Sequence, residues 1–344
     1  MNDVYILAIE SSCDETSMAI VKNGKDIESL TILTQMDTHA SFGGVVPEIA
    51  SRMHAENITM VLDETLKKSH VTMDDINAIA VTYAPGLLGS LLVGVECAKT
   101  LAYVYNKPLI AVNHTLGHIY ANNIEHDITY PTLALIVSGG HTDLLVLKSE
   151  KEMEVLGSTI DDSIGEVFDK VARILGMKYP GGPNIEATAQ KGHDTYSLPK
   201  PMQDDTYNFS YSGLKSYIIN LVHNETQRNN TIRKEDLACS FQTVAVDELT
   251  RKVSLALENT KIKNMILAGG VSANKYLRNE MQKTCAKYDV TFHVPNILYC
   301  TDNAAMIGCA AYPLYKAHIF SDLNLNAMSS ENIKNYIKKR DNTP

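Results

Sequence analysis

Residues 4–21 read VYILAIESSCDETSMAIV, in which an apolar run leads through a polar turn into a second apolar run. Short unbroken apolar runs bounded by turn residues are typical of buried β-strands. Residues 133–147, LALIVSGGHTDLLVL, repeat this pattern of strand, small polar turn ending in threonine, and returning strand. The two copies, separated by helical sequence, predict an α/β protein with a duplicated lobe, and two unrelated hairpins are the alternative.

Helical sequence follows the first copy, at residues 47–68 and 86–105. A third segment, residues 264–278, reads NMILAGGVSANKYLR and predicts a strand, a glycine turn and a helix. Glycines let a backbone approach a ligand, and a helix N-terminus offers free N–H groups to an anion. The segment lacks a P-loop lysine and a full Gly-x-Gly-x-x-Gly, so by itself it does not specify a nucleotide.

The composition excludes several classes of protein. A length of 344 residues exceeds one ordinary core, so two lobes are expected. The N-terminus has no basic region followed by a cleavage site, and the apolar stretch 87–105 is interrupted by Glu96 and Lys99, so we expect a cytoplasmic protein without a membrane span. The six cysteines form no Cys-x-x-Cys pair and are expected to be reduced.

The net charge of −9 argues against nucleic-acid binding by bulk electrostatics. A nucleic-acid substrate would need a local basic face or the help of a partner. One basic helix is a candidate for such a face, although a solvated helix surface is the better explanation for this helix taken alone. Its cationic residues are Lys275, Arg278, Lys283 and Lys287.

Two histidines, His114 and His118, are spaced one helical turn apart within the sequence NHTLGHIY. Residues at i and i+4 lie on one helix face, so both imidazoles can bind one divalent ion. A zinc protease of the His-Glu-x-x-His type needs a glutamate after the first histidine, and Thr115 occupies that position. The pair therefore predicts half of a metal site without the base for hydrolysis, and two surface histidines remain the alternative.

The run CTDNAAMIG at residues 300–308 places a polar turn at the head of an apolar helix. Taken alone, this pattern predicts that Asp302 or Thr301 caps the helix. Similarly, residues 161–175 form an amphipathic pattern in which Asp169 falls on the polar face. Periodicity alone predicts Asp169 to be a solvated surface carboxylate.

Ten motifs in chain order resemble the tRNA N6-adenosine threonylcarbamoyltransferase family, the TsaD-like proteins once labelled O-sialoglycoprotein endopeptidases. The resemblance extends from about residue 4 to about residue 316 and depends on the following motifs: IESSCDET at 9–16, GGVVPE at 43–48, PGL at 85–87, HTLGH at 114–118, VSGGHT at 137–142, GEVFDK at 165–170, PGGP at 180–183, FSYSGLK at 209–215, AGGVSAN at 268–274 and CTDN at 300–303.

The resemblance implies an actin-like ATPase fold, similar to sugar kinases and chaperones, with two duplicated lobes. We expect an N-terminal lobe at 1–128 that carries the first metal-ligand helix, a C-terminal lobe at 129–316 with a helical insertion at about 155–260, and a tail at 317–344 without chemistry. The implied ligands of one iron or zinc ion are His114, His118 and Asp302. The residues implied to bind the adenylate are Ile136, Val137, Ser138, Gly139, Gly140, Asp169, Gly182, Glu186 and Asn274.

Three positions depart from the family pattern. Ala84 and Asn113 stand where many members have glycine and histidine, and Glu186 stands where aspartate is common. None of the three is an implied metal ligand, but the expected hold of Glu186 on ribose hydroxyls is the least supported of the pocket contacts.

The implied reaction transfers threonylcarbamoyl from threonylcarbamoyl-AMP to N6 of the adenosine 3′ to the anticodon, in tRNAs that read codons beginning with A. The implied partners are tRNA, a metal-free paralogue that forms a heterodimer, and a small P-loop ATPase. Glu10 in the first turn is a candidate proton acceptor, although acid-rich turns often have only a structural role.

Three other classes of protein are alternatives to a transferase. A metallopeptidase is disfavoured by Thr115. A kinase or ATPase of the same fold acting on a small molecule is the main alternative, but such enzymes bind magnesium through carboxylates and water rather than through two histidines. A non-catalytic scaffold would be expected to lack the metal triad.

Overall fold

The computed structural model describes residues 3–331 and 333–341. The chain forms two compact units, one made of Met1–Ile128 with Pro295–Pro344 and the other of Thr129–Val294. Residues 295–316 therefore belong with the first unit, whereas the expected boundaries put them in the second. The reason is that the helix following Asp302 packs on strands near the N-terminus of the chain.

The helices and strands, in chain order, are β1 (Tyr5–Glu10), β2 (Glu15–Lys22), β3 (Asp26–Thr34), α1 (Met36–Ala40), α2 (Pro47–Lys67), β4 (Ala78–Ala84), α3 (Leu88–Val104), β5 (Leu109–Asn113), α4 (His114–Tyr120), β6 (Thr132–Val137), β7 (Thr142–Leu147), β8 (Met153–Ser158), α5 (Ile164–Ile174), α6 (Gly181–Ala189), α7 (Ser212–Gln227), α8 (Lys234–Thr260), β9 (Asn264–Ala268), α9 (Lys275–Lys287), β10 (Thr291–His293), α10 (Ile297–Cys300), α11 (Ala304–Lys316) and α12 (Ile333–Asp341). Short 3₁₀ helices at Ala121–Ile124 and Gly270–Ala273 complete the set.

The two units contain sheets of the same topology. In the first, the strand order is β3-β2-β1-β4-β5; β2 is antiparallel to both β1 and β3, β4 is parallel to β1, and β5 is parallel to β4. In the second, β8-β7-β6-β9-β10 repeats this order and these directions. The duplication predicted from residues 4–21 and 133–147 is confirmed.

The first sheet is covered on both faces, because successive side chains of a strand point to opposite sides. Leu7 and Ile9 of β1 belong to a core shared with α2 and α3, which contribute Val61 and Leu91. The opposite face, with Ala8, packs against α11. Burial on both faces explains why the strand reads as an unbroken apolar run.

Two glycines bring α11 and α4 close to their neighbours. A Cβ on Gly308 would lie 2.4 Å from Val21 Cγ2 in β2, and a Cβ on Gly117 would lie 2.7 Å from Ile307 Cδ1. Only glycine permits these approaches. They place Asp302, just before α11, next to the histidines of α4.

The second unit carries the predicted helical insertion. Its helices α7 and α8 lie within the expected range of about 155–260, and the amphipathic pattern at 161–175 forms α5. Phe168 of α5 and Phe241 of α8 are buried, with ring centroids 4.8 Å apart, in a core shared with β6 and β7. The tail is docked on the first unit, where Ser321 pairs with Leu109.

No helix in the described part of the chain is both long enough and apolar enough to span a bilayer.

Gly308→Ala should destabilise the protein by about 1–3 kcal/mol, because the new methyl group overpacks the contact between α11 and β2. Gly213→Ala is the matched control, since a Cβ there meets no atom within 4 Å. In a helix with free space this change should stabilise by about 0.5–1 kcal/mol. Urea unfolding of both variants measures the difference, and equal stabilities would contradict the tight α11 contact.

Candidate metal centre and nucleotide pocket

His114 and His118 are the first and fifth residues of α4, and every residue of this helix is buried. Asn113 starts the helix, because its Oδ1 accepts hydrogen bonds from the backbone N–H groups of Thr115, at 2.9 Å, and Leu116, at 3.3 Å. Asparagine is a good N-cap residue. The residue that departs from the family pattern therefore fixes the beginning of the helix that carries both imidazoles.

The third member of the cluster comes from the turn before α11. Asp302 Oδ1 lies 3.4 Å from His114 Nε2 and 3.3 Å from His118 Nε2. One ligand atom from each of the three residues falls within 4.8 Å of the others. Two imidazole nitrogens and a carboxylate oxygen converging in this way are compatible with a single iron or zinc ion.

Asp302 does not cap α11. Asn303 is the N-cap, and its Oδ1 accepts from Met306 N at 3.1 Å. The expectation that Asp302 or Thr301 caps this helix is wrong, because the helix begins one residue later. Capping by Asn303 leaves the carboxylate of Asp302 to face the two imidazoles.

Glu10 lies behind His114 and is completely buried at the end of β1. Its Oε2 accepts from Thr82 Oγ1 at 2.5 Å and lies 3.2 Å from His114 Nδ1, and its Oε1 accepts from Ser12 N at 2.6 Å. Ser12 Oγ also lies 3.2 Å from His114 Nδ1. The sequence interpretation did not assign Ser12 or Thr82 to the site, since neither forms a recognisable motif.

The charges in this cluster reinforce one another. Burial opposes ionisation of Asp302, but the charges and hydrogen bonds of His114 and His118 hold its pKa well below the ordinary value. Burial likewise lowers the pKa of His114, but Asp302 and Glu10 together hold it well above the ordinary value. Two carboxylates therefore create a strongly cation-favouring field around the imidazoles.

Two further buried atoms of α4 lack partners. Within the described residues, His118 Nδ1 and Thr115 Oγ1 have no hydrogen-bond partner. Thr115 carries no carboxylate, so the helix supplies no general base of the zinc-protease type.

In the second unit, the turn between β6 and β7 has an open glycine edge. Ser138 Oγ accepts from Gly140 N at 3.3 Å and from His141 N at 3.0 Å, which closes the turn. Gly139 and Gly140 are exposed, and a Cβ on either would meet no atom within 4 Å. The side chains of Ile136 and Val137 are buried in the sheet, so the glycines form the accessible part of this segment.

The predicted pocket residues of the second unit are linked by contacts between loops and helix N-termini. Gly165 N, at the start of α5, donates to Ser138 O at 3.2 Å. Farther along α5, Asp169 Oδ1 accepts from Gly181 N, the first residue of α6, at 2.8 Å. The amphipathic pattern correctly predicted that Asp169 lies on a helix, but it did not predict that the Asp169 carboxylate bonds the first residue of the next helix.

The last two predicted pocket residues lie at the N-terminus of α9. Glu186 Oε1 accepts from Lys275 N at 2.7 Å, and Asn274 Oδ1 caps the helix by accepting from Leu277 N at 2.9 Å. Asn274 Nδ2 also donates to Gln242 Oε1 at 3.0 Å, and the sequence interpretation had not included Gln242. Gly182 lies beside these helices, with open space where a Cβ would stand.

The glycine turn after β9 is held against β6. Gly269 has a φ of 90°, and a Cβ there would lie 2.4 Å from Val137 O. Three helix N-termini, those of α5, α6 and α9, are therefore connected through the glycine turns of the second unit. The positive ends of three helix dipoles suit an anionic ligand, although the N–H groups of Gly165, Gly181 and Lys275 themselves donate to acceptors in the protein.

Comparison with known proteins gives consistent results. Residues 26–309 match the family model described as TsaD, tRNA N6-adenosine threonylcarbamoyltransferase. A curated protein of that name from Staphylococcus carnosus (strain TM300) is 50% identical over 335 residues, which cover 97% of this chain and 98% of that protein.

Two solved structures show the fold. HypF from T. kodakarensis has a TM-score of 0.64 at 14% identity, covering 94% of this chain and 49% of that chain. Component A of (R)-2-hydroxyglutaryl-CoA dehydratase from Acidaminococcus fermentans has a TM-score of 0.54 at 13% identity, covering 92% and 99%. With the duplicated sheets, these similarities confirm the predicted actin-like ATPase fold.

The contact between Asp169 and Gly181 can be tested by substitution. Asp169→Ala removes the acceptor at the start of α6 and should destabilise the protein by about 0.5–2 kcal/mol, as loss of a helix cap does. Asp169→Asn keeps an acceptor oxygen and should stay within about 0.5 kcal/mol of the wild type. Chemical denaturation measures both, and a neutral alanine variant would rule out this capping contact.

Proposed function

The chain belongs to the tRNA N6-adenosine threonylcarbamoyltransferase family, and we propose how its residues perform that transfer. The enzyme is an acyltransferase that modifies tRNA. The donor is threonylcarbamoyl-AMP, and the acceptor is the N6 amine of the adenosine 3′ to the anticodon in tRNAs that read codons beginning with A. The observation that carries the proposal is the convergence of His114, His118 and Asp302.

The second unit holds the AMP part of the donor. The exposed turn of Gly139 and Gly140 faces the phosphate, because it has no side chains to obstruct an anion. Asp169, Gly182, Glu186 and Asn274 surround the nucleoside, with Ile136, Val137 and Ser138 forming the floor beneath the turn. Of these, Glu186 binds Lys275 N through Oε1, so Oε2 is the oxygen that accepts a hydrogen bond from a ribose hydroxyl. Fixing AMP in this way orients the acyl group toward the amine.

The first unit holds one divalent ion, iron or zinc, through His114, His118 and Asp302. When bound, the ion supplies Lewis-acid stabilisation of the negative charge that develops on donor oxygens. The chain's own contribution is orientation: Glu10 and Ser12 engage His114 Nδ1 and thereby leave Nε2 to the ion.

Glu10 is not placed to accept the proton of the attacking amine. Both of its oxygens already accept protein hydrogen bonds, and the side chain has no exposed surface. A general base must come within hydrogen-bond distance of the proton that it removes. We therefore assign Glu10 to positioning His114 and give it no role in proton transfer.

The main alternative, a kinase or ATPase of the same fold that acts on a small molecule, is not favoured by this ligand set. Magnesium in such enzymes is bound by carboxylates and water, whereas two of the three converging side chains here are imidazoles.

Transfer to tRNA would be assisted by partners, namely a metal-free paralogue as heterodimer partner and a small P-loop ATPase. The net charge of −9 supports this dependence. Two of the four basic residues of α9 are engaged within the chain, since Arg278 Nε donates to Ser272 O at 2.6 Å and Lys283 pairs with Glu280 at 2.7 Å, which weakens the case for this helix as a basic face. We propose that the protein acts in the cytoplasm, where tRNA is modified.

Glu10→Gln should lower metal affinity by about 10–100-fold, the usual effect of losing the partner of a metal-ligating histidine. Metal content and chelator competition with Zn²⁺ or Fe²⁺ measure this effect without an activity assay. The matched control is Glu28→Gln, whose side chain is exposed on β3. Equal affinities for the two variants would contradict the positioning role.

His118→Ala should abolish transfer while the protein stays folded, with a loss of at least about 100-fold. The assay follows labelled threonine into anticodon stem-loop RNA, with enzymatically supplied threonylcarbamoyl-AMP and both partners present. His223→Ala, at an exposed position of α7, is the control. No label with wild type, despite competent partners, would return the kinase-like function to first place.

A further inference from the structure

A second buried histidine lies near the metal cluster without belonging to it. His54, on α2, has no exposed surface. Its Nε2 lies 2.9 Å from Cys13 O, and its Nδ1 lies 2.7 Å from Thr16 Oγ1. The ring therefore bonds both ends of the segment Cys13–Thr16, which we call the acidic turn. It consists of the last two residues of the connection after β1 and the first two residues of β2.

The two contacts fix the tautomer of this histidine. A carbonyl oxygen can only accept, so Nε2 carries the proton and donates to Cys13 O. Nδ1 then accepts from the hydroxyl of Thr16. Burial lowers the pKa of His54, against the opposing effects of the Cys13 carbonyl, Glu10 and Asp14, while His39 lowers it further. The neutral ring is thus held in one orientation by two directional bonds.

The turn that His54 holds is acidic and reaches the edge of the metal cluster. Asp14 is buried and Glu15 is half-buried. At one end of the turn, Ser12 Oγ lies 3.2 Å from His114 Nδ1. At the other end, Ser17 Oγ accepts from the N–H of Ala304, two residues after Asp302, at 3.0 Å, so the turn lies next to the metal cluster. The other side of the turn is tied down by Gln35 N, which donates to Asp14 O at 2.9 Å.

We propose that His54 is a positioning residue for the transfer reaction, and that it sets the place of the acidic turn Cys13–Thr16 beside the metal cluster. The inference rests on the proposed function. His54 touches none of the three metal ligands, so it acts on the turn and leaves the ion in place. A misplacement of about 1 Å beside a reaction centre can cost about 100-fold in rate, whereas binding of tRNA over a large surface should change little.

The experiment compares His54→Leu with His54→Gln in the transfer assay with both partners present. Leucine removes both bonds, and kcat should fall by about 10–100-fold with KM for RNA changed by less than about 3-fold. Glutamine places an amide N–H close to the position of Nε2, so it should restore kcat to within about 5-fold of wild type. Metal content should stay at one ion per chain in both variants.

A matched pair of threonine substitutions guards against a general effect on folding. Thr16→Val and Thr65→Val each remove one buried hydroxyl, and Thr65 lies on the same helix as His54, where its hydroxyl donates to Val61 O at 2.7 Å. Of the two variants, only Thr16→Val should lower kcat, by about 3–10-fold, because Thr16 bonds the His54 ring and Thr65 does not. This pair decides the question even if His54→Leu fails to fold.

The proposal is overturned if His54→Leu keeps kcat within about 3-fold of wild type, or if Thr16→Val and Thr65→Val behave alike. It is also overturned if His54→Leu loses its metal, because the histidine would then act through the ligands. A wild-type protein that binds one ion but transfers nothing would instead refute the proposed function, and the inference with it.

Discussion

The buried carboxylate of Glu10 is the constraint on which the first site depends. It accepts hydrogen bonds from Ser12 N and Thr82 Oγ1 and faces His114 Nδ1, so one group joins β1, the following turn, β4 and α4. A buried charge that loses its partner costs several kcal/mol, on the order of 3–5. The elements that carry these partners therefore cannot move independently of one another. The orientation of His114 Nε2 toward Asp302 follows from that arrangement.

The third member of the cluster, Asp302, comes from the C-terminal part of the chain. Close packing of Gly308 on Val21 seats α11 against the first sheet, and capping by Asn303 starts the helix one residue after Asp302. Neither contact is part of the site, yet together they determine where the carboxylate lies. This explains why residues 295–316 belong with the N-terminal part of the chain although they follow the whole second unit.

The duplication gives two equivalent strand-turn-strand segments, one in each unit, and the residues of their turns differ. The turn after β1 is acidic and is held from behind by buried side chains such as His54. The turn after β6 contains Gly139 and Gly140, whose edges are open. An anion is attracted to free backbone N–H groups, whereas a cation site needs carboxylates and imidazoles. The two turns therefore have the same place in the fold but different chemistry: the turn of the first unit carries carboxylates, and the turn of the second unit carries glycines.

Short-range periodicity and helix geometry were enough to predict the strands of the two copies, their duplication and the shared helix face of His114 and His118. The ordered motifs identified the family, and the resemblance implied that Asp302 joins the two histidines and that Asp169 belongs to the second site. Periodicity could not assign Asp169, Asp302 or Glu10, since capping, solvation and site roles give identical local patterns. The contact of Asp169 with α6, the distances from Asp302 to the imidazoles and the burial of Glu10 behind His114 came from the tertiary structure. These contacts join residues that are 12 to almost 190 positions apart in the sequence, and the pattern of neighbouring residues does not show which distant residues will meet.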